Sequence, residues 1–208
     1  MVPYVSAALI SYLIGSIPAG YLVGRLVGVD IRRMGSGNIG ATNVLRVLGK
    51  PYGYAVFLFD FLKGVTAVQL SIWLVHRAHL DSGMGELVGI MAGILCVIGH
   101  TYPVWLRFSG GKGVATSAGV LFGLMPVAAL LVMIVWFVIF QITKYVSVAS
   151  IGAAVALPLT TLLMVWLKQT HERALVYFSI CLMVVIIWRH RSNLARLRQG
   201  TEQSFKRK

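Results

Sequence analysis

Apolar runs long enough to cross a bilayer dominate the chain and leave little between them. They fall at roughly 3–24, 53–75, 85–104, 114–143, 145–167 and 173–188, against the ~20 residues a spanning helix needs. Polar stretches at 25–52, 76–84, 105–113 and 168–172 separate them, and a basic tail runs from Arg189 to Lys208. Of the 208 residues 58% are hydrophobic and 12% charged, about half the charged share of a soluble domain. That is too little polar side chain to cover a water-facing globule, and too apolar for disorder. The expected fold is all-α: a polytopic integral membrane protein, one membrane-embedded domain over 1–208. Chemistry then falls to loops and helix ends at a membrane face.

The 114–143 run is too long for one upright span at ~1.5 Å per residue. Pro126 follows Gly123-Leu124-Met125 and marks a break. Splitting the run there gives seven transmembrane helices, with the N-terminus outside and the C-terminus cytoplasmic. In that count Arg25, Arg32, Arg33, Arg46, Lys50, Arg107, Lys112, Lys144 and the tail all face inward. Only Arg77, Lys168 and Arg173 face out, as the positive-inside rule prefers. No Lys or Arg precedes the first apolar run, the reverse of a cleavable signal peptide. The formal charge of +13 suggests loops against anionic membrane lipid rather than nucleic acid. Cys96 and Cys181 lie in apolar runs without ligand spacing and read as small hydrophobes.

Three polar regions carry possible chemistry. The first is Gly35-Ser36-Gly37-Asn38-Ile39-Gly40-Ala41-Thr42-Asn43-Val44-Leu45-Arg46. Glycines let backbone N–H groups approach an anion, hydroxyls add donors, and an arginine fork grips phosphate. The second contains His100 and then Ser109-Gly110-Gly111-Lys112-Gly113, opening an apolar helix. It is not a Walker A loop, since Leu106 and Gly113 stand where that motif needs Gly and Ser or Thr. A phosphate turn with a lysine charge at a helix N-terminus fits better. The third pairs Tyr145-Val-Ser147-Val-Ala-Ser150 with His190-Arg-Ser-Asn193, whose His and Asn share one helix face. Carboxylates are absent from the glycine-rich segments, which argues against a Mg²⁺-dependent phosphotransferase. Asp60 and Lys63, three apart within a span, read as a mutual ion pair.

These motifs, 35–46, 110–116 and 190–197, together with Tyr-x-Ser-x-x-Ser at 145–150 and Gly-x-Glu at 200–202, resemble the PlsY family of bacterial acyl-phosphate:glycerol-3-phosphate acyltransferases. The resemblance implies a seven-helix inner-membrane enzyme with its active site on the cytoplasmic face. It implies acyl phosphate and glycerol 3-phosphate as substrates, with no metal or organic cofactor and no obligate protein partner. The residues expected to act are His190, Asn193, Ser36, Arg46 and Lys112. Phosphate binding is expected from Ser36, Gly37, Asn38, Thr42, Asn43, Arg46, Gly110, Gly111, Lys112, Gly113 and Ser150. Either His190, whose ordinary pKa of about 6.5 suits proton transfer, or a substrate phosphate oxygen takes the hydroxyl proton. His76-x4-Asp81 fits the pattern of another glycerolipid acyltransferase class, but the topology puts it outside, away from the phosphate loops. The rival class is an organic-phosphate transporter, which should hold its ligand near the midplane on broken helices.

Overall fold

Proline and glycine set most of the helix boundaries. The computed structural model describes residues 2–78, 84–168 and 173–205. Its helices are α1 (Val2–Ser16), α2 (Ala19–Leu26), α3 (Ala41–Leu48), α4 (Lys50–Arg77), α5 (Gly85–Thr101), α6 (Val114–Leu124), α7 (Pro126–Thr143), α8 (Val146–Trp166), α9 (Ala174–Arg189) and α10 (Arg191–Arg198). Pro18 separates α1 from α2. Gly49, at φ +95°, separates α3 from α4, which then opens with a proline in its first turn. The expected break before Pro126 is there: Met125 leaves helical geometry at φ −147° and Pro126 starts α7.

Five stretches are long and apolar enough to cross a membrane: Val2–Leu26, Lys50–Arg77, Gly85–Leu106, Pro126–Thr143 and Val146–Trp166. A sixth follows if α9 and α10, bent by 52° at their junction, count as one span. The seventh expected span is α6. It has 11 residues, roughly 16 Å of helix against a hydrocarbon core of about 30 Å. Gly113, at φ +82°, bounds it at one end and Met125 at the other, so it cannot lengthen. By length, the described residues therefore support five or six crossings.

The chain forms two compact units, Met1–Leu124 and Met125–Lys208. In the first, α4 packs on α6 and α5 packs on α1 and α4. Lipid gives no hydrophobic drive between helices, so small residues that bring backbones close hold such pairs together. A Cβ at Gly64 or Gly119 would collide with the facing carbonyls of Thr116 and Phe61, and one at Gly15 or Gly99 with those of Cys96 and Tyr12. Ser11 and Ser71 add a buried hydroxyl pair at 3.0 Å. In the second unit α8 packs between α7 and α9. The face of α7 bearing Leu130, Ile134, Phe137 and Val138 is exposed, which is sensible only against acyl chains.

Candidate active site

In the first unit the 35–46 loop is built around one amide. Asn43, 2% exposed, accepts from the Ser36 N–H at 2.8 Å and donates to the carbonyls of Asn38 (2.8 Å), Met34 (3.0 Å) and Ile31 (3.3 Å). Gly35 and Gly37 have φ of +58° and +72°, where a side chain is strained. A Cβ at Gly35 would also strike the Asn43 amide. Asn38 accepts the Gly40 N–H at 2.8 Å, and the Gly37 N–H goes to Met34 O at 3.0 Å. Upstream, Asp30 caps the short 3₁₀ turn Ile31–Arg33 and pairs with Arg32 at 2.7 Å. That hydrogen-bonded pairing holds the Asp30 carboxyl down at about 2.

These bonds are internal to the loop. The Asn43 amide, the Asn38 Oδ1 and the N–H groups of Ser36, Gly37 and Gly40 are bonded within the loop. They shape it, and the backbone nest expected there has already spent these donors. What the loop offers outward is side chains. Ser36 is exposed, and half-buried Thr42 and Arg46 stand four residues apart on one face of α3.

The second motif sits against the same apolar cluster, where Ile39 and Val44 meet Leu106. Its turn is stitched to the end of α5: the Gly110 N–H donates to Thr101 O at 3.1 Å and the Gly111 N–H to His100 O at 3.0 Å. These two N–H groups therefore also have intramolecular partners. The first turn of α6 is the better backbone donor, because a helix cannot satisfy its leading N–H groups. Half-buried Lys112 and buried Gly113 lead into that turn. Beneath it Asp60 and Lys63 form the expected ion pair at 2.7 Å. His100 joins them, with Nδ1 2.9 Å from Lys63 Nζ.

In the second unit a carboxylate gathers the third motif. Glu202 Oε1 accepts from Asn193 Nδ2 (2.6 Å) and Ser147 Oγ (2.8 Å), and Oε2 from Arg196 Nε (2.7 Å). The start of α8, α10 and the tail are thereby joined, and the Phe205 N–H to Lys144 O bond (2.9 Å) pins the tail again. His190, 2% exposed, forms the α9–α10 junction. Its Nδ1 lies 2.8 Å from Ile186 O. A carbonyl only accepts, so Nδ1 carries the proton and Nε2 is the basic nitrogen of the neutral ring. Ser150 is buried, donates to Val146 O at 2.8 Å and accepts from Trp136 Nε1 at 3.2 Å. It braces α8 on α7.

Ser147 and Glu202 were not among the expected site residues. The available signal was charge: Glu202 is the one acid among the residues from Arg189 to Lys208. Of the His76–Asp81 pattern, His76 lies in the last turn of α4 and Asp81 lies outside the described residues.

Glu202 gives a pH dependence. Burial pushes its carboxyl up, but hydrogen bonds from Asn193, Ser147 and Arg196, with the Arg196 charge, together hold it below the ordinary carboxylate range. A depressed folded pKa stabilises above the unfolded value of about 4.3, and that stability is lost as pH falls through the folded value. The melting temperature in detergent should hold near neutrality and fall in acid. Glu202→Gln should flatten the acid limb, and an unchanged limb in that variant would remove Glu202 as its source.

Residues 5–200 match the family model described as glycerol-3-phosphate acyltransferase. A glycerol-3-phosphate acyltransferase of Staphylococcus aureus (strain Newman) is 42% identical over 201 residues, covering 95% of this chain and 96% of the relative. The crystal structure of PlsY (YgiH), an integral membrane glycerol 3-phosphate acyltransferase, in its glycerol 3-phosphate form, superposes with a TM-score of 0.85 at 39% identity. It covers 98% of this chain and 96% of that one. The lysophosphatidic acid form gives 0.82 at 38% identity, covering 98% and 95%. With motif, helix order and full-length similarity in agreement, the chain belongs to the glycerol-3-phosphate acyltransferase family.

Proposed function

We propose that this chain transfers a fatty acyl group from acyl phosphate to the sn-1 hydroxyl of glycerol 3-phosphate, yielding lysophosphatidic acid and inorganic phosphate. The observation that carries this reading is full-length similarity to an enzyme whose structures hold glycerol 3-phosphate in one form and lysophosphatidic acid in the other. The chain would work in the bacterial cytoplasmic membrane as one catalytic domain, with its active site on the cytoplasmic face. A seven-crossing reading, which counts α6 as a short span, is the one that the Lys/Arg distribution supports.

The donor is a mixed anhydride, so no protein nucleophile is needed. The glycerol hydroxyl oxygen bonds to the acyl carbon, the carbon–oxygen bond to phosphate breaks, and phosphate leaves with that electron pair. Ser36, Thr42, Arg46, Lys112 and the first turn of α6 hold phosphate groups and the charge that develops as phosphate departs. His190 and Asn193 orient glycerol 3-phosphate. The hydroxyl proton goes to His190 Nε2 or to a phosphate oxygen of a substrate. Positioning supplies much of the rate.

The test is turnover by detergent-purified protein with glycerol 3-phosphate and palmitoyl phosphate, and in parallel with palmitoyl-CoA. Lysophosphatidic acid formed from the acyl phosphate alone is expected. Absence of turnover with either donor, in folded protein that still binds glycerol 3-phosphate, would favour a transporter. Arg46→Lys and Lys112→Met should each lower kcat/KM about a hundredfold, since a lysine cannot reproduce a planar fork and methionine carries no charge. A loss below about threefold in either would take that residue out of the phosphate sites.

A further inference from the structure

We propose that Asp60, Lys63 and His100 form a buried relay that sets the shape of the Gly110–Lys112 turn for a substrate phosphate. This rests on the reaction proposed above. The three side chains come from α4 and α5 and are 3%, 4% and 5% exposed. Lys63 Nζ donates to the carbonyl of Ile17, in the break between α1 and α2, at 3.0 Å. It also contacts His100 Nδ1 at 2.9 Å and Asp60 Oδ1 at 2.7 Å. His100 Nδ1 in turn lies 3.5 Å from Asp60 Oδ1. An ammonium only donates, so His100 accepts at Nδ1 and its ring proton sits on Nε2.

That Nε2 edge is where the phosphate turn passes. A Cβ at Gly111 would run into His100 Nε2, and one at Gly110 into the His100 carbonyl. The Gly111 N–H bonds that same carbonyl at 3.0 Å. One histidine therefore fixes the turn twice, by its backbone oxygen and by the ring edge beneath Gly111. Its ring is fixed by Lys63, and Lys63 by Asp60 and Ile17. Lys112 follows Gly111 directly, so the register of its ammonium is set by this stack. Ion pairs buried in a span are costly, and apolar side chains could pack these helices more cheaply. Aiming a cation and a glycine turn is a task that packing alone does not perform. All three residues are positioning residues, acting through the turn.

Two isosteres separate the contacts. His100→Asn keeps an acceptor near Nδ1, and His100→Gln keeps a donor near Nε2. Asp60→Asn/Lys63→Gln removes both charges while keeping hydrogen-bonding capacity. Each is assayed as full-length protein in detergent beside the wild type, with glycerol 3-phosphate and palmitoyl phosphate varied in turn. In variants whose melting temperature stays within about 5 °C of wild type, KM for one phosphate substrate should rise about tenfold with kcat within about threefold. Combined with Lys112→Met, the loss should be less than the product of the single losses, because both act on one phosphate contact. Unchanged KM for both substrates, a loss in kcat alone, or a loss multiplying independently with Lys112→Met would overturn the relay. If His100→Asn does not fold, His100→Gln and the double variant carry the same comparison. A silent wild type sinks the reaction itself; an active wild type with indifferent variants sinks only the relay.

Discussion

Replacing Glu202 by Ala should destabilise the second unit by about 3 kcal/mol and release the tail from the start of α8. Glu202 is 5% exposed at its side chain and accepts from three donors. Two of them, Ser147 and Asn193, are themselves 4% and 5% exposed. A buried donor left without its acceptor costs roughly 1–3 kcal/mol, so these two account for the estimate. Arg196 is 35% exposed and can turn to water, so it adds little. The loss should appear as a lower melting temperature and as faster proteolysis after Arg196 and Arg198, with kcat/KM falling as Asn193 loses its anchor. Glu202→Gln keeps an oxygen for one donor and should fall between wild type and Ala. A Glu202→Ala protein that melts with the wild type and resists protease would show that the tail is held some other way.

Gly111→Ala should cost about a hundredfold in kcat/KM while the protein still folds. The added methyl would meet the His100 ring. That ring cannot give way, because Lys63 holds Nδ1 at 2.9 Å and the Gly111 N–H holds the carbonyl of the same residue. The turn must move instead, and Lys112 with it. A shift of about 1 Å in a positioning group is worth about a hundredfold. By contrast Gly200→Ala, also in a motif region, meets no atom within 4 Å and carries only the strain of φ +69°. Its effect should be confined to stability. If Gly111→Ala retained more than a third of wild-type kcat/KM, the turn would have slack that its contacts do not suggest.

The features legible in the sequence are those set locally. Pro126 lacks the N–H a continuing helix needs, so the split of 114–143 follows from four residues. Asp60 and Lys63 are three apart, which on a helix makes them neighbours whatever else packs nearby. The glycines at 35 and 37 mark a turn by residue type alone. Partnership across the chain was not legible. Asn43 looks like a phosphate donor until the loop closes and its amide bonds the loop's own carbonyls. Ser150 has the same motif credentials as Ser147, yet one faces Trp136 and the other Glu202. The difference is three residues along α8, close to one turn, and it appears only when α7 and the tail arrive. His100 is 37 residues from Lys63, and nothing in the spacing announces that they touch.

The contact between Lys63 and the Ile17 carbonyl bears on how relatives of this chain can diverge. The ligand at position 17 is a main-chain oxygen, and any amino acid supplies one. Its side chain is therefore free to drift among apolar types with no effect on the contact. The requirement is carried instead by Pro18, whose ring interrupts the helix beside that oxygen, and by Lys63, which reaches it. A scan of side-chain substitutions would record positions 18 and 63 as two unrelated facts. It would miss the residue between them in space, because what that residue contributes is not encoded in its identity.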